Sequence, residues 1–111
     1  MKKMAAKSCV VVLVACPSRS VARRMATALV TQRLAACVNI VPAVESLFWW
    51  QGKVDRCRET LLIIKTAARG FERLRKAVIE LHPYDVPEVI ALPLAAGHAP
   101  YVRWVISSSS A

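Results

Sequence analysis

Residues 82–88, His-Pro-Tyr-Asp-Val-Pro-Glu, form the densest group of polar and ionisable side chains in the sequence. An imidazole, a phenol and two carboxylates fall within this short segment, and two prolines restrict the backbone between them. Such donors can bind a borderline or soft metal ion, especially beside a cysteine thiolate. The same spacing also suits a structural role, in which His82 caps the preceding helix and Tyr84 packs at an interface.

The four cysteines, at positions 9, 16, 37 and 57, include no Cys-x-x-Cys pair, which excludes a zinc ribbon or a thioredoxin-type redox motif. Three of them lie in apolar, strand-like segments where a free thiol is a common filler, and we expect a reduced, cytoplasmic protein. Export is the alternative, because two lysines precede the short apolar stretch 10–15 and residues 13–16 resemble a lipoprotein cleavage box.

Enzymatic chemistry finds little support in these residues. The only histidines are His82 and His98, and the sequence contains no Gly-x-Ser-x-Gly nucleophile elbow. Its three scattered glycines cannot form a Gly-x-Gly-x-x-Gly or Walker-type phosphate loop. We therefore predict a protein that is not an enzyme and has no catalytic residue.

Charge is unevenly distributed along the 111 residues, whose net charge is +9. Seven basic residues precede the first acid, Glu45, and a second basic cluster at 69–76 falls on a predicted helix. We interpret both clusters as solvated helix faces. We therefore do not expect nucleic-acid binding, since the sequence offers no aromatic platform for stacking bases. An anionic partner of another kind is the alternative. The longest apolar run has eight residues, too few to span a membrane.

Periodicity predicts one domain at residues 8–106 between flexible tails at 1–7 and 107–111. Its first strand is the β-branched run 10–15, and the helix that follows is capped by Ser18 or Ser20, with apolar positions reaching Ala36. The remaining elements are strands at 37–50 and 59–66 around a turn at 51–53, a helix after Gly70, a strand at 89–94 and a helix after Gly97. Pro42 marks a bulge or an edge position in the second strand.

The order strand, helix, strand, strand, helix, strand indicates an α+β fold, a ferredoxin-like βαββαβ sandwich with an extra C-terminal helix. The first and third strands are apolar on both faces and therefore suit the two central positions of the sheet. Two helices can cover only one face, and Phe48-Trp49-Trp50 lies on an outer strand. Homo-oligomerisation through the sheet is the expected consequence.

Five strings of residues, in one order along residues 9–106, resemble the CutA divalent-cation-tolerance family. They are Leu-Ala-Ala-Cys-Val-Asn-Ile-Val-Pro at 34–42, Phe-Trp-Trp-Gln-Gly-Lys at 48–53, Leu-Ile-Ile-Lys-Thr at 62–66, His-Pro-Tyr-Asp-Val-Pro-Glu-Val-Ile-Ala-Leu-Pro at 82–93 and Tyr-Val-Arg-Trp at 101–104. The resemblance implies a cytoplasmic, sheet-packed homotrimer with a role in tolerance to divalent metals.

The resemblance also implies a ligand and a site. The usual candidate ligand is a copper ion, bound in a cleft between subunits. Cys37 and His82 stand at motif positions of the family and could supply a thiolate and an imidazole to it. Cys16 is the third candidate ligand, because some metal-binding members carry a cysteine near the end of the first strand. Positions expected near the cleft are matched by Trp50, Lys65, Tyr84 and Glu88.

Two departures from the family pattern bear on this expectation. Arg56, Cys57 and Arg58 stand where acids are common, and Gln51 stands where a glutamate often occurs. A basic surface disfavours the approach of cations. The alternative function is therefore a structural or signalling trimer that binds a small molecule or a partner protein without metal.

Overall fold

The computed structural model describes residues 8–109, which form four strands and three helices. In chain order they are β1 (Cys9–Cys16), α1 (Arg19–Thr31), β2 (Cys37–Trp50), β3 (Lys53–Ala67), α2 (Phe71–Leu81), β4 (Val89–Pro93) and α3 (Ala99–Ser108), and a short 3-10 turn at Ala68–Gly70 precedes α2. The predicted α+β class and element order are confirmed. No helix among the described residues is long and apolar enough to cross a membrane.

Helix α1 begins as predicted and ends earlier than predicted. The Ser18 hydroxyl accepts a hydrogen bond from the Val21 N–H at 3.2 Å, which satisfies one free donor of the first turn. After Thr31 the chain turns through Arg33, whose φ of 59° lies in the left-handed region that stops a helix. The expectation that the apolar helical face extends to Ala36 is therefore wrong.

The four strands form one antiparallel sheet in the order β2-β3-β1-β4. The first and third strands occupy the two central positions, as their apolar sequences predict. Helices α1 and α2 cover one face, where fully buried side chains from both layers interlock. The core on that side includes Val12, Val14, Cys16, Met25, Leu29, Leu62, Ile64, Leu74 and Val78.

Within residues 8–109, the opposite face is covered only at one end. There α3 packs Val102 and Val105 against Cys9 and Ala67. Strand alternation places Val11, Leu13, Leu61, Ile63, Ile90 and Leu92 on the same face beyond α3, and we call these six residues the open face. Ile90 and Leu92 are 49% and 47% exposed in a single protomer, which leaves apolar surface for another subunit to cover.

Strands β2 and β3 continue past the end of β1 as a two-stranded arm, residues 44–59. Cys16, the last residue of β1, pairs with Thr60, so no third strand of the described part of the chain lies beside the arm. The register shifts between Val41 and Val44, which confirms the irregularity predicted at Pro42. Because of this arm the protomer measures 53 × 26 × 22 Å. A lone hairpin is marginally stable in water, so the arm needs a neighbour to pack against.

Two further boundaries differ from expectation. Strand β3 begins at Lys53 rather than at residue 59, because the polar alternating segment 53–58 pairs with the aromatic end of β2. Ser107 and Ser108, expected to fray, belong to α3, and the buried Ser109 hydroxyl accepts from the Ala67 N–H at 3.0 Å. The remaining residues of the expected tails, 1–7 and 110–111, lie outside the described residues.

Candidate functional site

A cleft of about 700 Å³ lies between the arm and the segment that connects α2 to β4. Strand alternation along β3 aims Asp55, Cys57 and Glu59 to one side of the arm, and the rigid Pro-rich segment brings Tyr84 and Glu88 against them. The full lining is Ala15, Glu45, Ser46, Leu47, Phe48, Trp50, Asp55, Cys57, Glu59, Tyr84, Asp85, Val86 and Glu88.

The cleft gathers the acidic side chains of a basic protein. Of the seven acids in the whole sequence, five line it, namely Glu45, Asp55, Glu59, Asp85 and Glu88. No lysine or arginine is among its lining residues. Clefts lined by one sign of charge concentrate counter-ions, so this cleft favours cations although the chain carries a net charge of +9.

A hydrogen bond between Tyr84 and Glu59 organises the centre of the cleft. The Tyr84 Oη donates to Glu59 Oε2 at 2.9 Å, and the Glu59 side chain is buried. Burial and the Glu59 carboxylate raise the pKa of Tyr84, so the phenol stays protonated as the donor. Burial and the neighbouring Glu59 charge likewise raise the pKa of Glu88.

His82 lies behind this pair and positions it. Its Nε2 donates to the Ala15 carbonyl at 2.7 Å, and its Nδ1 accepts from the Tyr84 N–H at 3.2 Å. These partners assign the neutral tautomer protonated at Nε2, because a carbonyl only accepts and a backbone N–H only donates. The His82 and Tyr84 rings also pack against each other, tilted by 50° at a centroid distance of 4.7 Å. A metal bound at His82 would have to displace one of the two backbone partners.

Cys16 and Cys37, the other two predicted ligands, lie on opposite faces of the sheet. Cys16 is fully buried in the core beneath the helices, where burial and the Glu59 charge raise the pKa of its thiol to about 11. Cys37 lies on the other face, where it pairs with Lys65 of β3. Cys16 pairs with Thr60, five residues earlier on the same strand, so the two cysteines are separated by about 16 Å along the strand direction. One protomer therefore does not bring Cys16, Cys37 and His82 together.

Lys65 belongs to the neighbourhood of Cys37 rather than to the acidic cleft. Its Nζ lies 3.9 Å from the Cys37 Sγ and donates a hydrogen bond to the Asn39 Oδ1. These three residues form a polar cluster beside the open face. Trp50, Tyr84 and Glu88, the other three residues expected near a cleft, do line the cleft. Within residues 8–109, no three His, Cys, Asp or Glu side chains converge as a complete metal site in one protomer.

Sequence reasoning missed Cys57 and Glu59, which lie at the centre of the cleft. Their spacing with Asp55 is the alternation of a strand, which indicates one shared face. That signal was hidden because the segment before residue 59 was not expected to be a strand. Cys57 is the partly exposed thiol of the cleft, and its pKa is raised by partial burial and, to a smaller extent, by the nearby Glu59 and Asp55 carboxylates.

Tyr84→Phe tests whether the central hydrogen bond stabilises the site. The variant leaves the buried Glu59 carboxylate without its donor, so we expect the free energy of unfolding to fall by about 1–3 kcal/mol. Urea denaturation measures the change. The control is Tyr101→Phe at an exposed tyrosine of α3, for which we expect about 0.5 kcal/mol or less. Equal losses in the two variants would remove the special role of the Tyr84 hydroxyl.

Thiol labelling distinguishes the cysteines by accessibility. At neutral pH we expect a maleimide or disulfide reagent to modify the partly exposed Cys37 and Cys57 and to leave Cys9 and Cys16 unmodified, because the latter two are buried and their pKa values are raised. Mass spectrometry of peptides locates the label, and denatured protein, in which every thiol reacts, is the control. Rapid labelling of Cys16 in the native protein would show that the core opens there.

Comparison with known proteins agrees with this architecture. A sequence model described as "CutA1 divalent ion tolerance protein" matches residues 10–108. The "Divalent-cation tolerance protein CutA" of Thermus thermophilus is 52% identical over 95 residues, covering 86% of this chain and 92% of the relative. The "Protein CutA 1, chloroplastic" of Oryza sativa is 46% identical over 100 residues, and the match covers 90% of this chain but only 56% of that longer relative.

Solved structures give the same result in three dimensions. The divalent cation tolerance protein Cut A1 from Thermus thermophilus superposes with a TM-score of 0.90 at 48% identity, covering 92% of this chain and 99% of that one. CutA1 from the psychrotrophic bacterium Shewanella sp. SIB1 gives 0.89 at 38% identity, with 94% and 97% covered. With its sequence and its fold in agreement, this chain belongs to the CutA1 divalent ion tolerance protein family.

Proposed function

We propose that this protein is a homotrimeric divalent-cation tolerance protein that binds copper or a similar heavy metal in a cleft between subunits. Membership of the family supports the tolerance role. The observation that carries the binding role is the concentration of five of the seven acids in one cleft of a chain with a net charge of +9. We propose no catalytic step for this cleft.

The proposed trimer is supported by surfaces that one protomer leaves uncovered. The sheet order β2-β3-β1-β4 is that of a ferredoxin-like sandwich, and its open face exposes Ile90 and Leu92. The arm exposes Leu47, Trp49 and Val54 at 58%, 75% and 60%. Packing these surfaces against neighbouring subunits removes apolar area from water at about 25 cal/mol per Å². The acidic cleft adjoins the arm and would then lie at a subunit boundary.

The ligands that we propose come from more than one subunit, because one protomer presents an incomplete set. Cys57, Glu59 and Glu88 are the cleft donors that a single protomer already presents. Cys37, beside the open face, would reach a subunit contact and is a further thiolate candidate. Cys16 and His82 join a metal site only if the core or the backbone contacts of His82 rearrange. Copper(I) would prefer the thiolates, and copper(II) the carboxylates and imidazole.

Copper titration of a cleft variant tests this assignment. Glu59→Gln combined with Glu88→Gln removes two negative charges from the cleft, and we expect the copper(II) affinity to fall about 10- to 100-fold. The matched control is Glu72→Gln with Glu80→Gln, which removes the same charge from exposed positions on α2. Isothermal titration with an initially metal-free trimer measures both. Equal affinities in the wild type and the cleft variant would refute the carboxylate site.

The copper(II) affinity measured in this titration should change with pH in a defined direction. A protonated carboxyl cannot ligate a metal ion, and the pKa of Glu88 is raised by burial and by Glu59. Copper(II) affinity should therefore increase as the pH rises through the raised pKa of Glu88, and protons should be released on binding. Glu88→Gln should flatten this part of the profile.

A metal-free trimer that binds a small molecule or a partner protein is the second candidate. Two observations favour it: the described residues of one protomer bring together no complete set of metal ligands, and Phe48 and Trp50 line a cleft large enough for an organic molecule. Ligand screening with all metal removed separates the two functions.

All four cysteines are free thiols, which supports a reducing, cytoplasmic location for the protein under either proposed function.

A further inference from the structure

The exposed side of α1 is a surface that the proposed function does not use. It presents three arginines, two threonines, a serine and a glutamine, and a shallow groove of about 770 Å³ runs along it. The groove is lined by Arg19, Ser20, Arg23, Arg24, Thr27, Ala28, Thr31 and Gln32, all from α1 and the residue that follows it. We call these eight residues the α1 groove.

All but one of the side chains that line the α1 groove can donate hydrogen bonds. Helix α1 contains no aspartate or glutamate, so no carboxylate along it neutralises the arginines. The adjacent α2 adds exposed Arg73 and Lys76. Of its two acids, Glu72 is already engaged by Arg75 at 2.6 Å, and Glu80 is exposed in the last turn. The acids of the chain are instead concentrated in the cleft by the arm. This segregation of charge leaves the helical layer strongly positive.

We propose that the α1 groove binds a linear phosphate polymer, through its phosphate oxygens. Arginine, serine, threonine and glutamine side chains are the groups that contact phosphate oxygens along a nucleic-acid backbone. Guanidinium groups recognise phosphate with paired N–H donors, which lysine cannot match. Helix α1, with 13 residues, offers these donors over about 20 Å.

Other anionic partners fit this surface less well. A lipid surface is bound by basic residues interleaved with exposed apolar ones, and the only apolar side chain of the α1 groove is that of Ala28. The groove also contains no aromatic side chain on which bases could stack, so binding should be independent of sequence. The shared chemistry is the phosphate chain, whether it comes from inorganic polyphosphate or from a nucleic-acid backbone.

Fluorescence anisotropy with two labelled probes, inorganic polyphosphate and single-stranded oligothymidylate, tests the proposal on the 111-residue protein. Three arginines that each neutralise one phosphate predict a log–log salt slope of about −2, or roughly 20-fold weaker binding between 50 and 200 mM salt. The variant Arg19→Gln, Arg23→Gln, Arg24→Gln keeps good helix formers and should bind at least about 10-fold more weakly at low salt. A triple lysine variant at the same positions keeps the charge but loses the paired N–H donors, so it should bind more tightly than the glutamine variant and more weakly than the wild type.

The matched control removes an equal charge from the arm, with Lys53→Gln, Arg56→Gln and Arg58→Gln, all at exposed positions. It should bind within about twofold of the wild type if the α1 groove, rather than net charge, holds the polymer. Circular dichroism confirms that each variant is folded. Tighter binding of one probe identifies the source of the phosphate chain.

Three results would overturn the proposal. They are unchanged affinity in the α1 glutamine variant, an equal loss in the arm variant, and binding to phosphatidylserine vesicles without binding to either polymer. None of these results depends on the acidic cleft, because no variant touches a cleft residue.

Discussion

Ile63→Arg is expected to convert the assembled protein into monomers. Ile63 lies in the middle of the open face, between Leu13 on β1 and Asn39 on β2. In the proposed trimer a neighbouring subunit covers it, and an unpaired buried charge costs about 3–5 kcal/mol at each contact. Analytical ultracentrifugation over a range of concentrations measures the change in mass.

The control for this variant places the same charge on the other side of the molecule. Ile79→Arg introduces arginine on the outer side of α2, where the isoleucine is already 44% exposed, and we expect the trimer to persist. Circular dichroism checks that the Ile63→Arg protomer keeps its fold. A trimer that survives Ile63→Arg without weakening would show that the open face is not the interface.

Leu62→Ala is expected to lower the free energy of unfolding by about 2.7–5.0 kcal/mol, the range of leucine-to-alanine changes in well-packed cores. Leu62 is adjacent to Ile63 but faces the opposite way, into the core under α1 and α2, and is fully buried. Truncation leaves a cavity among side chains that cannot all move to fill it. Thermal or urea denaturation measures the loss.

Ile79→Ala on the outer side of α2 is the comparison for Leu62→Ala. Ile79 is 44% exposed and lies away from the open face and the arm, so its truncation should change the free energy of unfolding by about 0.5 kcal/mol or less. We expect the Leu62→Ala protein to remain assembled at temperatures where it is folded. A loss for Leu62→Ala below about 1 kcal/mol would contradict the packing described for the helix-covered face.

The fold was largely predictable because its signals are local. An unbroken valine-rich apolar run predicted that β1 is a central strand. Two serines before a helical pattern, Ser18 and Ser20, were the candidate caps, and Ser18 is the one observed. Pro42 predicted a bulge or an edge position where the register shifts. The predictions failed where contacts between distant parts of the chain determine the structure. Ala36 fits the apolar period of α1, but the left-handed turn at Arg33 ends the helix first. Ser109 carries no apolar signal, yet it is held by the Ala67 backbone.

The candidate site was predictable only in part, because it joins elements far apart in the sequence. The rigid segment 82–88 was recognised as chemically dense, and Tyr84 and Glu88 do line the cleft. Cys57 and Glu59 were missed because their strand extends further than its apolar half. Cys16 and Cys37 look equivalent as thiols in the sequence, and only sheet register shows that they lie on opposite faces.

Native mass spectrometry of the copper-exposed protein, with and without reductant, tests most directly the claim that a trimer binds metal between its subunits. The proposed function predicts a trimer that carries about three copper ions, one for each cleft, and loss of that copper in the Glu59→Gln, Glu88→Gln variant. A trimer without bound copper would leave the assembly standing and contradict the metal site. Copper retained equally by monomers would contradict a site shared between subunits.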